Sequence, residues 1–154
     1  MRVKAGAPAV ASSEIEVAAP PELVWDVIAD FERWPDWDPT VKSMSIDGPV
    51  AEGTRFKWKP GPGTISSTIR EVEPPRGIGW TGKTAGIKAV HAWRFEPRDG
   101  GTLVHTEESW EGVLPRLLRG RMQKMLQESL DNALPQLKAE AERRSAAQAP
   151  PSSG

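Results

Sequence analysis

From Thr40 to Gly112 the sequence alternates between apolar and polar residues, and that alternation leaves few folds open. Phe56 and Trp58 alternate with Arg55, Lys57 and Lys59. Ile65, Ser67 and Ile69 alternate with Thr64, Ser66, Thr68 and Arg70, and Ile78, Trp80 and Gly82 with Gly79, Thr81 and Lys83. Successive strand residues point to opposite faces, so this pattern specifies an antiparallel sheet with one apolar and one wet side. Gly48-Pro49, Pro60-Gly61-Pro62-Gly63, Pro74-Pro75 and Asp99-Gly100-Gly101 supply the turns. They divide the segment into strands near 41–47, 54–59, 64–73, 77–84, 88–96 and 102–111. An earlier strand is expected over 14–18, where Ile15 and Val17 alternate with glutamates.

Helical spacing flanks the strands. Pro20-Pro21-Glu22 opens a short helix, with Pro21 near N1 and Glu22 favourable to the dipole. Val24, Val27, Ile28 and Phe31 make its apolar stripe, and Trp34-Pro35 and Asp38-Pro39 allow at most one more turn. Val113 to about Arg144 predicts one long helix. Its stripe is Leu117, Leu118, Met122, Met125, Leu126, Leu130, Ala133, Leu134 and Leu137, and Pro135 should kink it. Arg116, Arg119, Arg121 and Lys124 read as an ordinary solvated face, with a membrane or nucleic-acid patch as the alternative. Residues 1–11 read as a flexible N-terminus and 145–154, rich in Ser, Ala and Pro, as a disordered tail. One domain is expected over 12–144. Its class is α+β: a seven-stranded curved antiparallel sheet wrapped around a long C-terminal helix, with short helices after the first strand.

Composition narrows the function. The absence of cysteine excludes disulfides, thiolate metal sites and a cysteine nucleophile. A net charge of −1 gives no electrostatic footprint for nucleic acid. No apolar run reaches the length of a membrane span, and the N-terminal segment lacks the apolar stretch of a signal peptide. A soluble cytoplasmic protein is expected. No dense set of histidines and carboxylates points to a metal, no glycine-rich phosphate loop is present, and no cofactor is expected.

The element order and several motifs resemble the START-like (SRPBCC) superfamily with its helix-grip fold, and within it the polyketide cyclase/dehydrase and lipid-transport family. The residues that carry the resemblance are Ile15-Glu16-Val17, Pro21 to Ile28, Phe31-Glu32-Arg33-Trp34-Pro35-Asp36-Trp37, Glu71 to Arg76, Trp93 to Pro97, and Gly101 to Val104. The resemblance spans about 12–142. It implies a deep, mostly apolar cavity between sheet and long helix, and it does not choose among the cyclases, carriers and other activities on this fold.

By alternation Trp58, Trp80, Trp93 and Trp110 face inward, as core or as cavity lining. Met122, Met125 and Leu126 fall mid-helix, as core or as the cavity roof. Trp25, Trp34 and Trp37 read as structural, and His105 as surface. His91 shares parity with Trp93, and Glu108 with Trp110, so these are the two titratable groups expected in the pocket. Ser67, Thr84 and Thr106 are candidate neutral donors. Asp99-Gly100 suits a two-residue type I′ hairpin loop, and counting outward from it sets His91 opposite Glu108. A three-residue loop with a bulge would shift that pairing by one.

Three functions follow in order. The first is a small-molecule binding protein for an aromatic, polyketide-like or lipid-like ligand. The second is a cyclase or dehydratase in which His91 or Glu108 moves protons. The third is a protein-interaction domain of cochaperone type, which needs an exposed apolar patch. Oligomeric state is not legible.

Overall fold

The computed structural model describes residues 1–148. Seven strands, β1 (Ala9–Val17), β2 (Met44–Ile46), β3 (Arg55–Trp58), β4 (Ile65–Glu73), β5 (Gly77–Thr84), β6 (Ile87–Arg98) and β7 (Gly101–Glu111), form one antiparallel sheet in the order β1-β7-β6-β5-β4-β3-β2. After β1 come α1 (Pro21–Ala29), a 3₁₀ turn (Phe31–Arg33) and α2 (Trp34–Trp37). After β7 come α3 (Val113–Leu117) and α4 (Arg119–Gln148). This is the seven-stranded sheet with a long C-terminal helix expected from the alternation and element order, and the helix-grip fold that the resemblance implied. The sheet curves around α4, and a bulge between Ile69 and Glu71 adds a bend to β4.

The main core lies between the sheet, α1 and the C-terminal half of α4. Val24, Val27 and Ile28 meet Phe31, Phe56, Ile69, Phe95 and Val104, with Leu134, Leu137 and Ala141 above them. Phe31 stacks on Trp34 at 4.7 Å and meets Phe56 edge-on at 4.8 Å. A smaller cluster joins Ala9 and Ala11 of β1 to Met122, Leu126 and Leu130. Small residues on β1 let the helix come close there, and its large side chains fill the gap.

Three boundaries and one turn class differ from expectation. The domain starts before residue 12: β1 begins at Ala9, because Ala9 and Ala11 are buried under α4 and pair with Trp110 and Glu108. Residues 145–148 are helical, continuing the alanine-rich end of α4 past the Arg144–Glu140 pair, and 149–154 lie outside the described residues. The long helix is interrupted at Leu118, whose φ of −121° and ψ of 45° are not helical. Gly120, a weak helix former, lies just beyond. Finally, the Asp99-Gly100 loop pairs Arg98 with Gly101 as counted, but only Gly100 has a positive φ, which excludes a type I′ turn. No helix among the described residues is long and apolar enough to cross a membrane.

A chain starting at Ser12 is therefore expected to melt several degrees lower than the full chain. It loses two buried alanines and the bond from the Val10 amide to Gln123 Oε1 (2.9 Å). Thermal unfolding followed by circular dichroism checks this; an unchanged melting temperature would show that residues 9–11 add nothing.

Candidate ligand cavity

The sheet and α4 do not close on each other everywhere. Between β3, β5, β6, β7, α2 and the middle of α4 lies a cavity of about 600 Å³. Trp58, Trp80, Trp93 and Trp110 line it, as do His91, Glu108, Thr84 and Met125. These are eight of the positions that alternation and helical spacing had singled out.

The other four are buried elsewhere. Ser67 lies behind the wall and accepts a hydrogen bond from Trp58 Nε1 at 3.2 Å, which orients that indole. Thr106 lies beneath His91. Met122 and Leu126 are not cavity roof but pack on Ala9 and Ala11. The roof is the neighbouring stripe of α4: Met125, Ser129, Asn132, Ala133 and Gln136. Met125 and Ala133 belong to the apolar stripe; Ser129, Asn132 and Gln136 recur at helical spacing beside it, and their small or polar character is the signal that marks them. Trp34 and Trp37, read as structural, also reach the cavity, together with Asp38, Thr40 and the Pro60–Gly63 loop. Trp34 fills both roles, since its indole N–H donates to Ile28 O at 2.9 Å.

Polar chemistry concentrates at one place on the wall. The β6–β7 register sets His91 opposite Glu108 and Trp93 opposite Thr106. His91 Nδ1 lies 3.1 Å from Glu108 Oε1, and Nε2 lies 2.8 Å from Thr106 Oγ1. Thr106 has one hydroxyl hydrogen, and it points to Ala92 O at 3.1 Å. The oxygen is thereby left to accept from His91 Nε2–H. Nδ1 then presents a lone pair to Glu108, and the contact needs one proton, which a neutral carboxyl supplies. Burial favours that state. It pushes the His91 imidazole down to about 3 and the Glu108 carboxyl up to about 7, the latter opposed by the hydrogen bond from Trp110 Nε1. That bond to Oε2 is 2.6 Å long. The cavity wall thus holds a neutral, single-proton pair, flanked by Trp80 at 5.1 Å and Trp93 at 5.2 Å from the imidazole.

Two further polar groups lack partners. The indole nitrogens of Trp37 and Trp93 are closed off from solvent and make no hydrogen bond among the described residues. His105, as expected, lies on the outer face, 3.5 Å from Glu14. No group of three side chains suited to a metal occurs among the described residues.

A sequence profile of the family described as polyketide cyclase / dehydrase and lipid transport matches residues 8–142. The chain belongs to this family. Solved structures agree on the fold. The Zhui aromatase/cyclase from Streptomyces sp. R1128 superposes with a TM-score of 0.80 at 20% identity, covering 92% of this chain and 98% of that one. A START superfamily protein from Mycobacterium smegmatis gives 0.75 at 20% identity, covering 88% and 98%. A protein from Thermus thermophilus gives 0.75 at 22%, covering 91% and 99%. No curated protein matches the sequence.

Proposed function

We propose that the protein binds a small apolar, aromatic or lipid-like molecule between its sheet and α4. The observation that carries this is the tryptophan-walled cavity of about 600 Å³ with the buried His91–Glu108 pair on its wall. That volume falls within the range of small-molecule sites, and an apolar lining with few fixed polar groups is their usual build. Flat indole faces favour flat ligands.

Naphthol and dihydroxyanthraquinone are expected to quench the tryptophan fluorescence and raise the melting temperature by mass action. Palmitic acid is the arm that tests a lipid-like ligand. Ala133→Trp sets an indole into the cavity from the helix side and should abolish both signals while the chain stays folded. If no probe changes either signal, or if Ala133→Trp leaves binding intact, the cavity is not the site.

A second reading rests on the His91–Glu108 pair. A carboxyl with a pKa raised to about 7 can give and take a proton near neutral pH, as a cyclase or dehydratase requires. Glu108→Gln would then keep the binding of dihydroxyanthraquinone and lose turnover of a poly-carbonyl substrate. A binding protein would show no turnover in either form.

A further inference from the structure

The apolar stripe read from the sequence runs through Leu117, Leu118 and Met125, yet the structure does not bury them. Val113 is 64% exposed, Leu117 75%, Leu118 41% and Met125 48%. A single exposed leucine is ordinary, but these side chains share one short stretch, α3 and the first turns of α4. Arg116, Arg119, Arg121 and Lys124 lie among them, all exposed, and none of their side chains has an ion-pair or hydrogen-bond partner among the described residues. No acidic residue occurs between Glu111 and Glu128. This segment gathers positive charge in a chain whose net charge is −1.

We infer that residues 113–125 form a docking surface for an anionic lipid bilayer. Aliphatic side chains enter the headgroup–acyl boundary while arginine and lysine heads stay at the level of lipid phosphates and carboxylates. Charge complementarity selects this occupant. A second copy packed on the same face by two-fold symmetry would set four cations against four. An open groove of about 590 Å³ borders Val113 and Arg116; it is lined by Lys4 and Lys88 together with Glu111, which pairs with Lys4 at 3.2 Å, so the free positive charge is that of the helical segment itself.

The surface adjoins the cavity. Met125 lines it, and Leu114 packs over Gly86, in the turn whose neighbours Thr84 and Ile87 also line it. If the cavity takes an apolar ligand, as proposed above, docking holds its rim against the bilayer and lets ligand pass with little exposure to water. That consequence rests on the ligand reading; the docking itself does not.

The test is flotation of the full chain with vesicles of phosphatidylcholine alone and of phosphatidylcholine with equimolar phosphatidylserine, without added ligand. Binding to the anionic vesicles, loss of it at high salt and little binding to phosphatidylcholine are expected. Arg116→Gln and Arg119→Gln should each weaken binding roughly fivefold, and together roughly twentyfold. Val113→Asn combined with Leu117→Asn should weaken it further, with an unchanged melting temperature because both side chains are exposed. Equal binding to both vesicles, or to neither, overturns the proposal, as does indifference to these substitutions. So would a dimer in light scattering that Leu117→Asn dissolves, or saturation of the patch by an acidic protein. Ligand binding by fluorescence, measured without vesicles, stands or falls separately.

Discussion

Removing His91 and removing Glu108 are expected to weaken the fold at opposite ends of the pH scale. In His91→Ala the penalty should be largest above about pH 6.5 and should shrink toward pH 3. The folded protein holds His91 at about 3, while the unfolded chain protonates it near 6.5. Below 6.5 the unfolded state therefore binds the extra proton, and the stability that His91 contributes is lost as pH falls. Glu108 has the reverse sign. Its pKa rises from 4.5 to about 7, so the folded state keeps a proton that the unfolded state releases. Its contribution is complete below about 4.5 and is lost as pH rises to about 7. The penalty of Glu108→Gln should follow that course. At 1.36 kcal/mol per pH unit the swings are roughly 4–5 kcal/mol for the histidine and roughly 3 kcal/mol for the carboxyl. Urea unfolding of the wild type and both variants from about pH 3 to pH 8 measures them. An imidazolium–carboxylate ion pair would reverse both trends, and that result would end the neutral assignment.

Gly101→Ala is expected to cost about 3 kcal/mol or more. A Cβ on Gly101 would come within 2.1 Å of Val17 O and 3.1 Å of its carbonyl carbon. Both atoms are backbone, so neither can rotate away. Gly101 also ends the β6–β7 loop from which the register is counted, and a slip of one residue there would carry Glu108 to the far side of the sheet. The variant should thus lose stability and, in whatever fraction remains folded, lose the opposed pH trends described above. Gly100→Ala is the control: its Cβ meets nothing within 4 Å, and only the strain of a φ of 76° is added. Equal effects of the two substitutions would show that the close approach to Val17 is not what Gly101 provides.

The pairing of His91 with Glu108 was legible because register depends on loop length, which the sequence displays, and not on the turn class, which the sequence suggested wrongly. Which proton the pair holds was not legible. Burial and the neighbouring carboxylate pull the imidazole in opposite directions, and the decision rests on Thr106, placed beneath His91 by its pairing with Trp93. The long helix shows the same division. Its apolar stripe could be read by spacing, but a stripe does not say what it faces. Met122 and Leu126 pack on β1 because Ala9 and Ala11 are small, and those alanines look ordinary in a row of small residues. Leu117 and Leu118 satisfy the same periodicity and remain largely open to solvent. Trp37 reads as a structural aromatic close to a proline, and only the fold brings it to the cavity beside the Pro60–Gly63 loop.

The sheet order has a consequence for how the chain is made. Every neighbouring pair of strands from β2 to β7 is consecutive in sequence, but β1 pairs only with β7. A ribosome delivers β1 first. Its hydrogen-bonding edge has no partner until residues 101–111 emerge, and its buried alanines have no cover until α4 follows. The hairpins from β2 to β7 form from near neighbours as synthesis proceeds, while closure of β1 onto β7 joins the two ends of the domain and carries the largest loop entropy. The nascent chain thus carries an unpaired strand until residues 101–111 emerge, and the curved sheet cannot be completed before then.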